Sequence, residues 1–92
     1  MRILICEDSV LLREGLVRLL EDAGHEVVAA LTDTTGLPEA VVSTSPDLCI
    51  LDVRLPPTFT DEGIRAALDL RSVHPSLAIL VLSQYVEERY AS

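Results

Sequence analysis

The chain has 92 residues, 15 acidic and 7 basic, for a formal net charge of -8, and all of its basic residues are arginine. So few, scattered cations on an acidic chain do not bind a phosphate backbone, and we expect no direct nucleic-acid contact by this segment. Hydrophobic residues make up 49% of the chain, which is enough for the core of one domain. No apolar run reaches the roughly 18 to 20 residues that span a bilayer, and the N-terminus turns acidic too early for a signal peptide. We therefore expect a cytoplasmic protein with no membrane contact.

The first predicted elements are a strand and an amphipathic helix. Residues 3–6 form a short apolar run of the kind that is buried on both faces of a sheet. The helix spans residues 9–23, with Asp8 or Ser9 as its cap and Gly24 as its C-terminal stop. Its apolar side chains predict one buried face, formed by Leu12, Leu16, Leu19, Leu20 and Ala23.

Three more strands follow, and each is preceded by a helical segment. Helices are predicted from near Pro38 to about residue 44, and over residues 61–74, where Pro75 ends the second one. A proline-broken loop covers residues 55–60, and residues 86–92 open another helix. The strands, rich in Val, Ile and Leu, are residues 27–31, 48–51 and 77–82. This alternation favours an α/β fold with a parallel sheet and helices on both of its faces.

The residues that close these strands are polar. Glu7 and Asp8 follow the first strand, Asp52 closes the third and Ser83 closes the fourth. Because ligands of open parallel sheets bind outside the carboxyl ends of the strands, we expect the three carboxylates to converge if the first and third strands are neighbours. Three negative charges in a small cleft repel one another, and a divalent cation relieves that repulsion. Ligands that are all oxygen favour Mg²⁺ over the transition metals.

This constellation resembles the receiver domain of bacterial two-component response regulators along the whole chain. The acidic pair, the strand-terminal Asp52 and Ser83 follow the order of the family's pattern. Three stretches are similar to receivers of LuxR/NarL-type transcription factors, namely residues 46–57, 61–63 and 80–85. The resemblance implies a flavodoxin-like (CheY-like) doubly wound parallel sheet with strand order 2-1-3-4.

The resemblance also implies a role for each residue. Asp52 would be the nucleophile that accepts a phosphoryl group from a phosphohistidine on a sensor histidine kinase. Asp8, Asp52 and the backbone carbonyl of Arg54 would hold Mg²⁺, and Glu7 would contact the ion through water. Ser83 would hydrogen-bond a phosphoryl oxygen and switch the domain between two surfaces. In LuxR-type regulators, a helix-turn-helix output domain then controls transcription.

The same resemblance predicts that residues 1–92 are an incomplete receiver. Complete members continue with a fifth strand, which ends in a lysine, and with further helices, whereas this chain contains no lysine. Without a fifth strand, the fourth would be an apolar edge, and such edges recruit other chains. We therefore expect self-association through the fourth strand or its flanking surface.

Two other functions fit part of the pattern. A degenerate receiver could act as a phosphorylation-independent dimerisation module, but that function requires none of the acidic residues that are intact here. A Mg²⁺-dependent phosphohydrolase also uses a strand-terminal Asp nucleophile. Haloacid-dehalogenase-like enzymes carry a second Asp two positions later, where this chain has Arg54. The sequence therefore favours a phosphoacceptor domain that is not an enzyme.

Overall fold

A computed structural model describes residues 1–53 and 62–82. Its strands are β1 (Arg2–Cys6), β2 (Glu26–Leu31), β3 (Leu48–Asp52) and β4 (Ala78–Leu82), and its helices are α1 (Val10–Asp22), α2 (Leu37–Thr44) and α3 (Glu62–Val73). The predicted alternation is confirmed, and each of these boundaries lies within one residue of its prediction. None of the helices in the described ranges is long and apolar enough to cross a membrane.

The four strands form one parallel sheet in the order β2-β1-β3-β4, as predicted. Cys6 of β1 lies opposite Leu51 of β3, so the residues that follow these two strands meet at the same edge. The predicted loop at 55–60 and the predicted helix start at 86–92 lie outside the described residues. The order of the described strands therefore places the acidic strand ends side by side.

Helices cover both faces of the sheet, which makes it doubly wound. Alternate residues of the central strands point to opposite faces. One face packs against α1 and contains the buried Ile3, Ile5 and Ile50. The opposite face packs against α2 and α3, and its buried residues are Leu4, Cys6, Leu37, Val41, Cys49, Leu51, Leu70 and Leu77. Burial of the central strands on both faces explains why their sequences are nearly continuous apolar runs.

Helix α1 corrects one expectation about its buried face. Leu16, Val17 and Leu20 pack against the sheet, whereas two residues predicted to be buried are not: Leu19 is 68% exposed, and Ala23, just past the end of the helix, is also exposed. The helix carries apolar residues on more than one side, and its crossing over the sheet selects which side is covered. The Ser9 hydroxyl caps its start by accepting from the Leu12 N–H at 3.3 Å.

Candidate functional site

Three carboxylates converge at the carboxyl edge of the sheet. Glu7 and Asp8 directly follow β1, and Asp52 is the last residue of β3. One oxygen from each of the three lies within 4.8 Å of the other two. The convergence predicted from the sequence is therefore confirmed by the pairing of β1 with β3.

Glu7 is the most buried of the three acids, with only 2% of its surface exposed. Its N–H donates to the Leu31 carbonyl at 2.9 Å, and its own carbonyl accepts from the Arg13 guanidinium at 2.8 Å. Its carboxylate oxygen Oε2 accepts from the Ser9 N–H at 2.9 Å. Within the described part of the chain, the other carboxylate oxygen, Oε1, is buried without a hydrogen-bond partner. An unpaired buried carboxylate oxygen is costly, so this position suits a positive or hydrogen-bond-donating group.

The electrostatics of the cleft agree with this geometry. The pKa of the Glu7 carboxyl is raised to about 7, mainly by burial and also by the neighbouring charge of Asp52, against the opposing hydrogen bond from the Ser9 N–H. A bound divalent cation would oppose this rise, because a nearby positive charge favours the ionised carboxylate. The cluster consists of carboxylates alone, which is the donor set of a hard ion such as Mg²⁺. The residues therefore fit Mg²⁺.

The strand ends fix the position of Asp52. The residue is 8% exposed, and in the sheet it lies opposite Leu82, the last residue of β4. The next residue, Val53, donates its N–H to the Leu82 carbonyl at 2.9 Å. The backbone at Asp52 and at the residue after it is thus paired with β4, which limits the movement of the strand end.

Two other predicted site residues, Arg54 and Ser83, lie outside the described residues. Conversely, Arg13 was not predicted to contribute to the site, yet its guanidinium joins α1 to the backbone carbonyl of Glu7. The only sequence signal for this contact is an arginine in the second turn of a helix that follows an acidic strand end. The sequence alone does not distinguish such an arginine from one on the solvent-exposed face of the helix.

Comparison with protein families decides the classification. The model of the "Response regulator receiver domain" family matches residues 3–92. The chain belongs to this family. Receiver domains belong to two-component response regulators, bind Mg²⁺ in an acidic pocket and interact with sensor histidine kinases. The cleft of Glu7, Asp8 and Asp52 has the composition of that pocket.

Curated relatives of this receiver domain are longer proteins. It is 34% identical over 92 residues to the transcriptional regulatory protein DegU of Brevibacillus brevis. The alignment covers 99% of this chain and 38% of DegU. It is 31% identical over 87 residues to a protein-glutamate methylesterase/protein-glutamine glutaminase of Caulobacter vibrioides, covering 95% of the chain and 24% of that protein. The receiver domain thus spans well under half of either relative.

Solved structures support the same fold. The isolated receiver domain of RcsB from Salmonella enterica serovar Typhimurium, determined with the phosphomimetic BeF3⁻, superposes with a TM-score of 0.80 at 26% identity, over 90% of this chain and 61% of that one. The signal receiver domain of the putative response regulator NarL from Mycobacterium tuberculosis gives a TM-score of 0.78 at 31% identity, over 89% and 64%. The predicted CheY-like fold is confirmed.

Proposed function

We propose that Asp52 is the residue that accepts the phosphoryl group in this receiver domain. The observation that carries the proposal is the position of Asp52 at the end of β3, with its carboxylate within 4.8 Å of Glu7 and Asp8. Among these acids, Asp52 is the last residue of a central strand, whereas one carboxylate oxygen of Glu7 already accepts a hydrogen bond from the Ser9 N–H. Asp52 therefore combines a fixed backbone with a carboxylate directed at the cleft.

The proposed reaction transfers one phosphoryl group from a kinase phosphohistidine. A carboxylate oxygen of Asp52 attacks the phosphorus and forms a P–O bond, while the P–N bond breaks and its electron pair leaves with the imidazole. The product is an aspartyl phosphate on Asp52 and a free histidine on the kinase. The requirement on the chain is mainly positional, because phosphoryl transfer depends on alignment and charge neutralisation.

We propose Asp8 and Asp52 as direct ligands of Mg²⁺, with the backbone carbonyl of Arg54 as a third, and Glu7 would contact the ion through water. The ion supplies neutralisation of charge on the transferring oxygens. The unpartnered Oε1 of Glu7 supports a positive or hydrated group at this point. We retain Ser83 as the proposed contact for a phosphoryl oxygen and as the switch residue.

The partners we propose follow from the family and its relatives. A sensor histidine kinase is the phosphoryl donor, and the output is a DNA-binding helix-turn-helix domain that regulates transcription in the cytoplasm. The name of DegU, a transcriptional regulatory protein, favours this output. The receiver itself is proposed not to be an enzyme, although one relative is a methylesterase.

Phosphorylation is tested on the natural polypeptide that carries this sequence, with acetyl phosphate as the donor. With Mg²⁺ we expect the intact mass to increase by one phosphoryl group, and with EDTA in place of Mg²⁺ we expect no increase. Asp52→Ala removes the proposed nucleophile and should show no increase under either condition. An unchanged mass for the natural protein with Mg²⁺, or an equal gain in Asp52→Ala, would contradict the proposal.

A second proposed property is self-association of the 92-residue chain through β4. Leu80 is 48% exposed and Val81 is 36% exposed. These consecutive residues point to opposite faces of the strand, so both faces carry an exposed apolar side chain. Apolar side chains exposed on both faces of a strand are a surface that other chains can cover. This property would also serve a phosphorylation-independent dimerisation module.

Replacing Leu80 with lysine should shift the chain to monomer, because the charge would be buried in any such contact. Sedimentation velocity at increasing concentration measures the change. Leu68→Lys is the matched control, since Leu68 is 66% exposed on α3, and it should leave association unchanged. A wild-type chain that stays monomeric throughout the series would refute the association.

A further inference from the structure

The first turn of α3 lies unusually close to the end of β3. Gly63 is buried, and a Cβ built on it would lie 1.8 Å from the carbonyl oxygen of Asp52. The same Cβ would lie 2.7 Å from the Asp52 carbonyl carbon and 2.8 Å from the Cα of Val53. All three are backbone atoms, so no side-chain rotation could make room. The position therefore admits no side chain without a movement of α3 or of the strand end.

A hydrogen bond also holds the first turn of α3 against the end of β3. The Gly63 N–H donates to the Val53 carbonyl at 3.0 Å, and the Val53 N–H donates to the Leu82 carbonyl at 2.9 Å. The residue that follows Asp52 is thus held by α3 on one side and by β4 on the other. Gly63 does not have a positive φ, so the backbone conformation does not require glycine. Space is what requires it.

We propose that Gly63 is a positioning residue for phosphoryl transfer, because its missing side chain lets α3 hold the backbone of Asp52 where its carboxylate meets those of Glu7 and Asp8. The inference rests on the proposed function of Asp52. It adds a residue that touches neither metal nor phosphoryl group and acts through the backbone of the nucleophile.

The distances indicate how far an alanine would disturb the site. An ordinary van der Waals contact of a Cβ begins near 3.4 Å, so the Asp52 carbonyl and the alanine Cβ would have to separate by roughly 1.5 Å. Mg²⁺ demands near-ideal octahedral geometry, and metal–ligand distances in sound sites lie within about 0.2 Å of their usual values. A misplacement of about 1 Å can slow a reaction on the order of 100-fold. Both the metal affinity and the transfer rate should therefore fall.

The test compares three variants of the natural polypeptide. Gly63→Ala should weaken Mg²⁺ binding at least about 10-fold by titration calorimetry, and slow phosphorylation by acetyl phosphate about 100-fold, both per folded molecule. Gly15→Ala makes the same substitution in α1, where nothing lies within 4 Å of the added Cβ, and should change neither. Leu70→Ala creates a cavity under α3 and should lower stability while leaving the Mg²⁺ affinity of the folded protein unchanged.

If Gly63→Ala binds Mg²⁺ and reacts as the wild type does, or loses no more than Leu70→Ala, the inference is overturned. Failure of the wild type to bind Mg²⁺ and to react would instead refute the proposed function. If Gly63→Ala does not fold, hydrogen exchange on the wild type replaces it. The Gly63 amide should be protected as strongly as the β3 amides, with further protection on addition of Mg²⁺, and rapid exchange at Gly63 would overturn the inference.

Discussion

Replacing Asp52 with asparagine should stabilise the metal-free protein and, at the same time, abolish its stabilisation by Mg²⁺. Asparagine has nearly the same shape but removes one of three negative charges whose oxygens lie within 4.8 Å of one another. At that distance, two unit charges near a protein surface repel by roughly 3 kcal/mol. Allowing for the weaker hydrogen bonds of the amide, we expect a net gain of about 1 to 2 kcal/mol in the free energy of unfolding.

The loss of the Mg²⁺ effect follows from the same substitution. In the wild type, Mg²⁺ at 100 times its dissociation constant should add roughly 3 kcal/mol to stability. In Asp52→Asn, which lacks a proposed direct ligand, the addition should be close to zero. Urea unfolding at pH 8, with EDTA or with Mg²⁺, measures both effects. Asp69→Asn, on the exposed surface of α3, is the charge-matched control and should respond to Mg²⁺ as the wild type does.

If Asp52→Asn is less stable than the wild type in EDTA, the carboxylates do not repel one another appreciably in the folded protein. If Mg²⁺ stabilises the variant as much as the wild type, Asp52 is not a ligand of the ion.

Without metal, stability should fall as pH rises from about 4.5 to about 7. The pKa of Glu7 is raised from 4.5 to about 7 by burial and by the charge of Asp52, so the folded state holds this proton more tightly than the unfolded state does. The contribution of Glu7 is therefore fully present below about pH 4.5 and is lost as pH passes through 7. Because the neighbouring Asp8 is only partly buried, we expect a loss of about 1 to 2 kcal/mol, less than the full change in the pKa of Glu7 implies.

Glu7→Gln provides the control for this pH dependence. The amide has no proton to lose in this range, and its oxygen can still accept from the Ser9 N–H that Glu7 uses. The difference in stability between wild type and variant should change between about pH 4.5 and pH 7 in EDTA. A difference that is constant across this range would show that burial of Glu7 does not perturb its ionisation.

Much of the fold follows from the sequence for a simple reason. Strands buried on both faces of a sheet must be apolar throughout, so β1 and β3 stand out as short continuous runs between amphipathic segments. The strand order came from the family resemblance, because alternation alone allows several orders. The buried face of α1 was predicted incorrectly at Leu19 and at Ala23. Apolar residues on several sides of a helix leave its rotation to be decided by packing against the sheet.

The candidate site was predictable in its residue types but not in its depth. Polar residues at strand ends identified Glu7, Asp8 and Asp52, yet nothing in their spacing indicated that Glu7 would be the most buried of them. That burial depends on how α1 packs at the end of β1, where the Arg13 guanidinium donates to the Glu7 carbonyl. The contact between Gly63 and the Asp52 carbonyl was equally inaccessible, because it depends on distances between backbone atoms of two elements.

The position of the phosphoryl group tests the central claim most directly. After reaction of the natural polypeptide with acetyl phosphate and Mg²⁺, borohydride reduction converts an aspartyl phosphate to homoserine, which peptide sequencing by mass spectrometry can locate. We expect homoserine at position 52 and at no other aspartate. Homoserine at Asp8 or at another aspartate, with Asp52 unmodified, would contradict the assignment of Asp52 as the phosphoacceptor.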